Sequence, residues 1–584
     1  MAEAIEEGRQ RTERTRRGFG DVSEAAEFVS MLEKFERGEI SADEYRGYRL
    51  TRGIYGQRQD EVHMVRVKIP QGVLSGPQLR VLADCADRYS RGFGHVTTRQ
   101  NLQFHFVKPH DVAPFMEAVA RSGLTTREAC SHTVRNIAAC AAAGVCDGAP
   151  FDVTPYAEAM TRHFLRHALG SGLPRKFKIS ASGCEDDCGQ GAINDIGILA
   201  RVRDGQRGFR VTAGGGTSTL PRSGAVLHEF LPAGELLEAC EAILRVFNAE
   251  GERKNLKKAR MKWAIERLGF PRFRALYEEQ RAAIAAEGGR PYAPGPEEEP
   301  PPRRAGDPVP LRLVPREGYA AFHESNVRPQ RQEGFATVEV RLKLGDVSSA
   351  QLRGLADLVE RLGDGSLRTT NAQNLLLRWV REEDLARVHQ ELSRLGIADA
   401  HAASLSDVVS CPGAETCRIA VTASRGIAQV LDEHLRASDG TRASGADGDI
   451  RISGCPNGCG QHHIAAIGLQ GGVRRFGDKL VPQYHLSIGG GVDGSGAKFG
   501  RLVGKVPARR VAQAVDRLVA HFEAARTPGE TQRAFFQRLP LKDAQKLIED
   551  LTEIDLASAK PEDFVDLGSE AAFKVVEMDG ECAQ

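Results

Sequence analysis

The sequence has few cysteines, almost no net charge and no long apolar run. Twelve cysteines among 584 residues are too few for a disulfide scaffold. A formal net charge of +1 gives no overall field for nucleic acid, so any basic site must be a local concentration of cations. No apolar run approaches the ~20 residues that a membrane-spanning helix needs. We therefore expect a globular protein that contacts neither nucleic acid nor a membrane.

The N-terminal segment also lacks the apolar core of a secretory signal. Its Arg16-Arg17 pair is followed by acidic residues such as Asp21, which is unlike a twin-arginine export signal. We expect a cytoplasmic protein with reduced thiols. In that setting, closely spaced cysteines favour metal ligands over disulfides.

The chain contains an internal duplication. Segments such as HVTTRQNLQFHFV from His95 recur in altered form as LRTTNAQNLLLRWV from Leu367. The length suggests about three to five domains, and the duplication arranges them as two homologous pairs related by pseudo-two-fold symmetry. The clearest repeat is a set of cysteines that returns 271 residues later: Cys140, Cys146, Cys184 and Cys188, then Cys411, Cys417, Cys455 and Cys459.

Hydrophobic periodicity predicts both strands and helices. Alternating runs predict strands at Val65–Ile69 and Phe177–Ile179. Amphipathic runs predict helices at Gly76–Ser90, Val112–Arg121 and Tyr156–Leu169. The mixture indicates an α+β protein whose sheets are covered by helices.

The C-terminal cysteines have the spacing Cys411-x5-Cys417 and Cys455-x3-Cys459. Four thiolates that converge from two loops suit a cubane 4Fe–4S cluster. Zinc is the alternative, but paired zinc ligands usually have two to four residues between them, and Cys411 and Cys417 have five. A chance clustering of cysteines is the third interpretation. The second pair lies in SGCPNGCGQ, a tight turn whose backbone N–H groups can donate to cluster sulfurs.

These motifs closely resemble the signature of the siroheme-dependent sulfite and nitrite reductases, and the resemblance extends from about Tyr55 to about Arg526. It implies an internally duplicated α+β fold with two ferredoxin-like half-domains packed together and two α/β siroheme/Fe–S domains. It also implies siroheme and one 4Fe–4S cluster held by the C-terminal cysteines, with Cys459 as the thiolate shared with the siroheme iron.

The resemblance and the composition together predict seven segments. The proline- and charge-rich stretch Gly288–Pro308 predicts an exposed linker between the two halves. The segments are an N-terminal extension (1–54), ferredoxin-like half-domain 1 (55–128), a degenerate 4Fe–4S-type domain (129–287), the linker (288–308), ferredoxin-like half-domain 2 (309–400), the siroheme/4Fe–4S domain (401–530) and a C-terminal tail (531–584).

Alternating cations predict a pocket for an anion. Lys176 and Lys178 share one face if their segment is a strand, a pattern that by itself usually marks a solvated strand face. The resemblance implies more. Arg66 and Arg135 would bind the oxyanion, while both lysines would bind it and deliver protons. It further implies contacts to siroheme from Thr97, Arg99, Gln103, Arg175, Asn457 and Cys459.

The second lysine bears on the substrate. In the resembling family, nitrite enzymes have Lys-x-Asn at this pair and sulfite enzymes keep both lysines, so Lys178 favours six-electron reduction of sulfite to sulfide. Reduction of nitrite to ammonia is the alternative, and a non-catalytic electron-transfer or siroheme-carrier protein is a third. No Gly-x-Gly-x-x-Gly unit is present, so we expect electrons from a ferredoxin or a flavoprotein subunit. Speculative docking residues for an acidic ferredoxin are Arg474, Arg475 and Lys479.

The N-terminal cysteines depart from the family pattern, in which this copy is usually degenerate. Two interpretations of these cysteines are open: they hold a second cluster, or they are a remnant of the duplication. The turn GCEDDCG would place Glu185, Asp186 and Asp187 beside an anionic cluster, which favours the remnant unless these side chains point to solvent. Tyr55 and Cys130 resemble a pair that is covalently linked in some family members, although we expect them to be unlinked. Cys85 and Cys240 are expected in the core.

Overall fold

The computed structural model describes residues 18–290, 292, 294–297, 299–301, 317–437, 448–554, 559–576, 578, 580 and 581. Cys582 and about half of the predicted linker, including 302–308, lie outside these residues. The described chain mixes helices and sheets in two similar halves, each with a ferredoxin-like part followed by a mixed-sheet domain, as the sequence predicts. Within the described residues, no helix is both long and apolar enough to cross a bilayer.

The two ferredoxin-like parts each have five strands, and the first has one helix more than the second. The first has helices Ser23–Glu36, Ala42–Thr51, Gly76–Tyr89 and Val112–Arg121, and strands Ile54–Gly56, His63–Val67, Val73–Ser75, Phe93–Val96 and Leu102–Val107. The second has helices Tyr319–Asn326, Ser349–Leu362 and Leu385–Arg394, and strands Val327–Pro329, Phe335–Val340, Asp346–Ser348, Ser366–Thr369 and Leu375–Arg381.

Each ferredoxin-like part completes the other's sheet. Strand Val73–Ser75 pairs with Ser366–Thr369 of the second part, and Asp346–Ser348 pairs with Phe93–Val96 of the first. Both exchanged strands lead into a helix that begins with a capping box, in which Ser75 or Ser348 accepts from the backbone of a glutamine three residues on. One apolar core therefore extends through both parts and fixes their relative position.

The two mixed-sheet domains have matching five-stranded sheets, and the second adds a separate two-stranded one. The first has strands Ala138–Ala139, Ile179–Ser182, Ile196–Arg203, Gln206–Ala213 and Ala225–Pro232, and helices Thr154–Phe164, Leu236–Glu250, Met261–Leu268 and Phe270–Ala286. The second has strands Val409–Ser410, Ile450–Ser453, Ile467–Phe476, Lys479–Ile488, Gly491–Asp493, Gly496–Lys498 and Arg501–Pro507, and helices Ser424–Ala437, Val511–Ala525, Gln532–Arg538 and Leu541–Thr552. In each sheet the first three strands are parallel and the next two pair antiparallel.

Several predicted bounds differ from the structure. The helix predicted at Tyr156–Leu169 occupies Thr154–Phe164, because Pro155 suits the first turn and Leu165 is already extended. The strand predicted at Phe177–Ile179 begins only at Ile179, so Lys176 and Lys178 precede it. The segment predicted as a tail contains two helices, Gln532–Arg538 and Leu541–Thr552, whose apolar residues pack on the second mixed-sheet domain.

Candidate functional site

A cavity of about 640 Å³ lies between the first half of the chain and the C-terminal cysteine loops. Its wall brings together every residue for which the sequence predicts a role in the site. These are Arg66, Thr97, Arg99, Gln103, Arg135, Arg175, Lys176, Lys178, Cys411, Cys417, Cys455, Asn457 and Cys459.

The sheet of the second mixed-sheet domain positions the C-terminal thiols. Cys411 follows strand Val409–Ser410, and its N–H donates to the Ile452 carbonyl at 3.2 Å. The N–H of Gly454 donates to the Cys411 sulfur at 3.3 Å. Parallel strands end at one sheet edge, so the two cysteine loops emerge side by side. Cys455 is buried and Cys459 is exposed toward the cavity.

The turn between Cys455 and Cys459 needs glycine. Gly458 has φ 67°, in the left-handed region, and a Cβ there would lie 2.6 Å from the His463 ring. The neighbouring His462 and His463 stack at 3.8 Å, and burial lowers the pKa of both side chains, His463 to about 4. Both imidazoles are therefore neutral packing groups at physiological pH.

The first ferredoxin-like part covers these loops. The N–H of Arg58 donates to the Thr416 carbonyl at 2.9 Å, and Gln59 Nε2 donates to the Glu415 carbonyl at 2.8 Å. Thr98 Oγ1 donates to the carbonyl of Cys459 at 2.9 Å. The site is thus shared between the two halves, with thiols from the second and cations from the first.

Backbone carbonyls hold the arginines of the cation wall. Arg135 Nη1 donates to the Ala129 carbonyl at 2.9 Å and Nε to the Ser131 carbonyl at 3.0 Å, and Arg66 Nη1 also reaches the Ala129 carbonyl at 3.4 Å. The Tyr55 hydroxyl accepts from Arg135 Nη2 at 3.3 Å. Carbonyls orient a guanidinium without neutralising it, so these contacts leave positive charge available to an anion.

Like charges crowd the deeper wall. Burial, with Arg135 as the next cause, lowers the pKa of Arg99 to about 9. Burial also lowers the pKa of Lys178 well below its usual range, with Arg260 and Arg99 adding to the shift. Asp195 lies behind this wall, where its carboxylate accepts from Arg260 at 2.9 Å and from the Lys178 backbone N–H at 2.9 Å. A bound anion would relieve this excess of positive charge.

Two cavity residues were missed in the sequence. Arg260 is buried against Asp195, and Lys262 Nζ donates to the carbonyls of Thr217, Thr219 and Leu220 at 2.7–3.0 Å. Lys262 therefore shapes a loop of the cavity wall, and burial lowers its pKa to about 8. The basic run from Lys257 to Lys262 was the available signal.

The far end of the chain also reaches this wall. The Glu581 carboxylate accepts from the Gly56 N–H at 2.6 Å and pairs with Arg49 in a buried salt bridge. Both Gly56 and Glu581 line the cavity. Nothing in the composition of the last residues indicated this return.

Other predicted residues lie elsewhere or keep an untested role. Tyr55 and Cys130 are buried in one small apolar cluster, and their covalent link stays untested. Arg474 donates to the Thr552 carbonyl at 2.9 Å and Lys479 lies 4.8 Å from the Phe564 ring, and the docking role of Arg474, Arg475 and Lys479 stays a prediction. Cys85 and Cys240 are buried in helices, as predicted.

The chemistry of the wall fits the expected cofactors. A volume of about 640 Å³ is within the ~300–1,000 Å³ typical of cofactor pockets. The four thiols at one side match in number and kind the ligands that a cubane cluster needs, and Cys459 is the exposed one among them. The surrounding arginines and lysines suit a tetrapyrrole that carries carboxylates.

Fold and site together define an iron–sulfur oxidoreductase with a cationic cavity. The model for the "Nitrite/Sulfite reductase ferredoxin-like half domain" matches residues 55–122 and 328–395, and that for the "Nitrite and sulphite reductase 4Fe-4S domain" matches 130–284. The chain belongs to the nitrite and sulfite reductase family, and this family membership implies an iron–sulfur cluster.

Individual relatives carry both names. The chain is 30% identical over 440 residues to "Ferredoxin--nitrite reductase" of Synechococcus elongatus, covering 74% of this chain and 80% of the relative. It is 25% identical to "Sulfite reductase [ferredoxin] 1" of Mycolicibacterium paratuberculosis, covering 89% and 93%. The solved structure of Mycobacterium tuberculosis NirA protein aligns with a TM-score of 0.74 at 26% identity, covering 88% and 95%.

Proposed function

We propose that this protein reduces sulfite to sulfide with six electrons, using siroheme and one 4Fe–4S cluster. The observation that carries the proposal is Lys178, a half-buried lysine beside Lys176, Arg99 and Arg260 in the cavity wall. A large share of sulfite is dianionic at neutral pH, in equilibrium with hydrogensulfite, whereas nitrite carries one charge. An additional fixed cation therefore stabilises sulfite more than nitrite.

The proposal assigns the cofactors to named residues. Cys411, Cys417, Cys455 and Cys459 would hold the cluster, and Cys459 would be shared with siroheme. Thr97, Arg99, Gln103, Arg175 and Asn457 would bind the tetrapyrrole at the cavity wall. When bound, the cluster and the siroheme supply low-potential electrons to the sulfur atom of the substrate.

The protein's own contribution is charge and protons. Arg66 and Arg135 would orient the anion, since carbonyl contacts fix their guanidinium groups. Conversion of hydrogensulfite to hydrosulfide consumes six protons and releases three waters. A lysine with a lowered pKa gives up its proton more readily than an exposed lysine, so Lys178 suits the role of proton donor to departing oxygens.

The electron donor follows from the relatives. Names such as "Ferredoxin--nitrite reductase" and "Sulfite reductase [ferredoxin] 1" support a ferredoxin as the donor to this chain, with a flavoprotein subunit as the alternative. The close pairing of cysteine residues fits a reducing compartment, so we place the reaction in the cytoplasm.

Reduction of nitrite to ammonia is the second candidate. Several of the relatives with the strongest similarity carry the name ferredoxin–nitrite reductase, including those of Synechococcus elongatus and Zea mays. The same cation wall would bind nitrite, and the thiols would have the same role. The two candidates differ only in the preferred anion.

Steady-state kinetics with reduced viologen as donor tests the proposal. Anaerobically purified holoenzyme is supplied with sulfite or nitrite over a range of concentrations, and kcat/KM is determined for each. The proposal expects a higher kcat/KM for sulfite and one sulfide released per six electrons consumed. A higher kcat/KM for nitrite would replace it with the second candidate.

A further inference from the structure

The N-terminal half contains a second group of four neighbouring thiols. Cys140 shares side-chain hydrogen bonds with Cys146 and Cys188, and Cys184 shares them with the same two residues. The four sulfurs thus form a closed ring drawn from two loops. Small core residues left over from a duplication would not need to meet in this way.

The backbone frame of this group repeats that of the C-terminal cysteines. The N–H of Cys140 donates to the Ala181 carbonyl at 3.0 Å, and that of Gly189 donates to Ser182 Oγ at 2.9 Å. The corresponding bonds in the second half run from Cys411 to Ile452 at 3.2 Å and from Gly460 to Ser453 at 3.0 Å. Both loops therefore keep one geometry for presenting thiols.

The other half also docks on the N-terminal loops in the same manner. The N–H of Arg331 donates to the Val145 carbonyl at 2.9 Å, Gln332 Nε2 donates to the Gly144 carbonyl at 2.9 Å, and Asn371 Nδ2 donates to the Cys188 carbonyl at 3.0 Å. These contacts are counterparts of those made by Arg58, Gln59 and Thr98.

Two of the three acidic residues in the turn are directed away from the sulfurs. Glu185 pairs with Arg201 at 2.8 Å and its side chain is 68% exposed. The Asp187 carboxylate accepts from the N–H groups of Gly191 and Ala192 at 2.8 and 2.9 Å. Only Asp186 among them lies against a thiol, 3.8 Å from the Cys184 sulfur. The electrostatic objection to a cluster is therefore reduced to one carboxylate.

The turn is also held in an unfavourable backbone conformation. Asp187 has φ 45°, in the left-handed region, where the second half has Gly458 at φ 67°. A non-glycine residue there costs on the order of 1–3 kcal/mol. The hydrogen bonds of its carboxylate offset that cost, so the chain keeps the cluster-type turn without glycine.

We propose that Cys140, Cys146, Cys184 and Cys188 hold a second 4Fe–4S cluster, one with no tetrapyrrole beside it. A cubane cluster takes four cysteine ligands, and these four repeat the spacing and frame of the C-terminal set. The five-residue gap between Cys140 and Cys146 disfavours zinc. This site does not depend on which anion the enzyme reduces.

At two described positions where the first half has a cation of the wall, the second half has an acidic residue. Strand pairing aligns Arg66 with Glu339, because Arg66 pairs with Gln103 and Glu339 pairs with Leu376 at the same place in each sheet. Lys178 likewise corresponds to Asp449, since both precede an equivalent strand. Acidic side chains at these places would repel siroheme carboxylates.

Apolar side chains fill space near the N-terminal cysteines as well. Val145, Phe335 and Trp379 form one buried cluster, and Val145 is adjacent to Cys146 in the sequence. An apolar neighbour on this side suits a cluster that only exchanges electrons. The two sites are linked through the buried contact of Gln461 Nε2 with Gln190 Oε1, each glutamine two residues after a cysteine.

Asp186 gives the second cluster a distinguishable property. The equivalent position in the C-terminal turn is Asn457, which is uncharged. A carboxylate near the sulfurs stabilises the oxidised cluster, so we expect the N-terminal cluster to be reduced at a lower potential than the C-terminal one. The variant Asp186→Asn should raise that potential and leave the other unchanged.

Metal and sulfide analysis of the anaerobic holoenzyme tests the proposal. For each siroheme, we expect the iron and inorganic sulfide of one cluster, and in addition about four further iron atoms and about four further sulfides. In Cys188→Ser that additional iron and sulfide should be lost while siroheme is retained, and in the matched variant Cys85→Ala both should stay. Redox titration followed by electron paramagnetic resonance should show two cluster signals in the wild type and one in Cys188→Ser.

The wild-type measurement stands even if a variant fails to fold. Iron and sulfide sufficient for only one cluster, or stoichiometric zinc, would overturn the second site. An unchanged iron content in folded Cys188→Ser would do the same. Wild-type protein that contains the iron and sulfide of two clusters but lacks siroheme or sulfite turnover would count against the proposed function. It would leave the inference of a second cluster intact.

Discussion

Gln461 donates a side-chain hydrogen bond from Nε2 to Oε1 of Gln190, the residue at the same position of the other half. Both side chains are buried, and both residues have a positive φ, 63° and 59°. Each directly follows the Cys-Gly end of a cysteine turn. This contact joins the two turns across the pseudo-two-fold axis.

Removal of either glutamine side chain should destabilise the contact between the halves. Gln461→Ala leaves the Gln190 amide buried without this partner, so we expect a loss of about 1–3 kcal/mol in the free energy of unfolding. Gln190→Ala should have a similar effect, and the double variant should cost less than the sum. Denaturant unfolding measures all three, with exposed Gln206→Ala as control. Strict additivity would show that the pair is not coupled.

Lys178→Asn should shift the preference between the two anions. Loss of a hydrogen bond to a charged group costs about 1.5–3 kcal/mol. We therefore expect kcat/KM for sulfite to fall about 10- to 100-fold, and kcat/KM for nitrite to fall less. Steady-state kinetics with both anions measures the ratio. Lys546→Asn, on an exposed position of helix Leu541–Thr552, is the control. An equal drop for both anions would remove Lys178 from substrate discrimination.

The pH dependence should report the same lysine. Burial and neighbouring cations lower the pKa of Lys178, and a proton donor acts only in its protonated form. Sulfite turnover should therefore decline as pH rises through a pKa below the 10.5 of an ordinary lysine. Arginine keeps its proton, so Lys178→Arg should lose this alkaline limb. Superimposable profiles for the two proteins would contradict the assignment.

Glu339 predicts a pH effect on stability away from the cavity. Burial is the main cause that raises the pKa of Glu339 to about 7, and the negative charge of Asp407 is the next. The folded state then binds more protons than the unfolded state between about pH 4.5 and 7, so this group's contribution to stability falls as pH rises through that window. Glu339→Gln should raise the melting temperature more at pH 8 than at pH 5. Exposed Glu382→Gln should show no such difference.

The cysteine sites were predictable because their evidence is local. Spacing and repetition identify Cys411, Cys417, Cys455 and Cys459 without any tertiary information. The cation wall was predictable in part for the same reason, since only one residue separates Lys176 from Lys178 on the chain. Family resemblance supplied Arg66 and Arg135, which are distant in sequence from those lysines.

The parts that were missed depend on non-local contacts. The exchange of strands Val73–Ser75 and Asp346–Ser348 cannot be read from either strand alone, because each finds its partner in the other half. Glu581 reaches Arg49 from the opposite end of the chain. The outward turn of Glu185 depends on its partner Arg201, which the sequence alone does not identify.

The most direct test concerns Cys459. Wild-type protein and Cys459→Ala are purified anaerobically, their siroheme and inorganic sulfide are determined, and their turnover of sulfite with reduced viologen is measured. We predict coloured, sulfide-containing wild type with turnover, and loss of turnover in Cys459→Ala. A colourless wild type without inorganic sulfide, or full sulfite turnover in Cys459→Ala, would contradict the account.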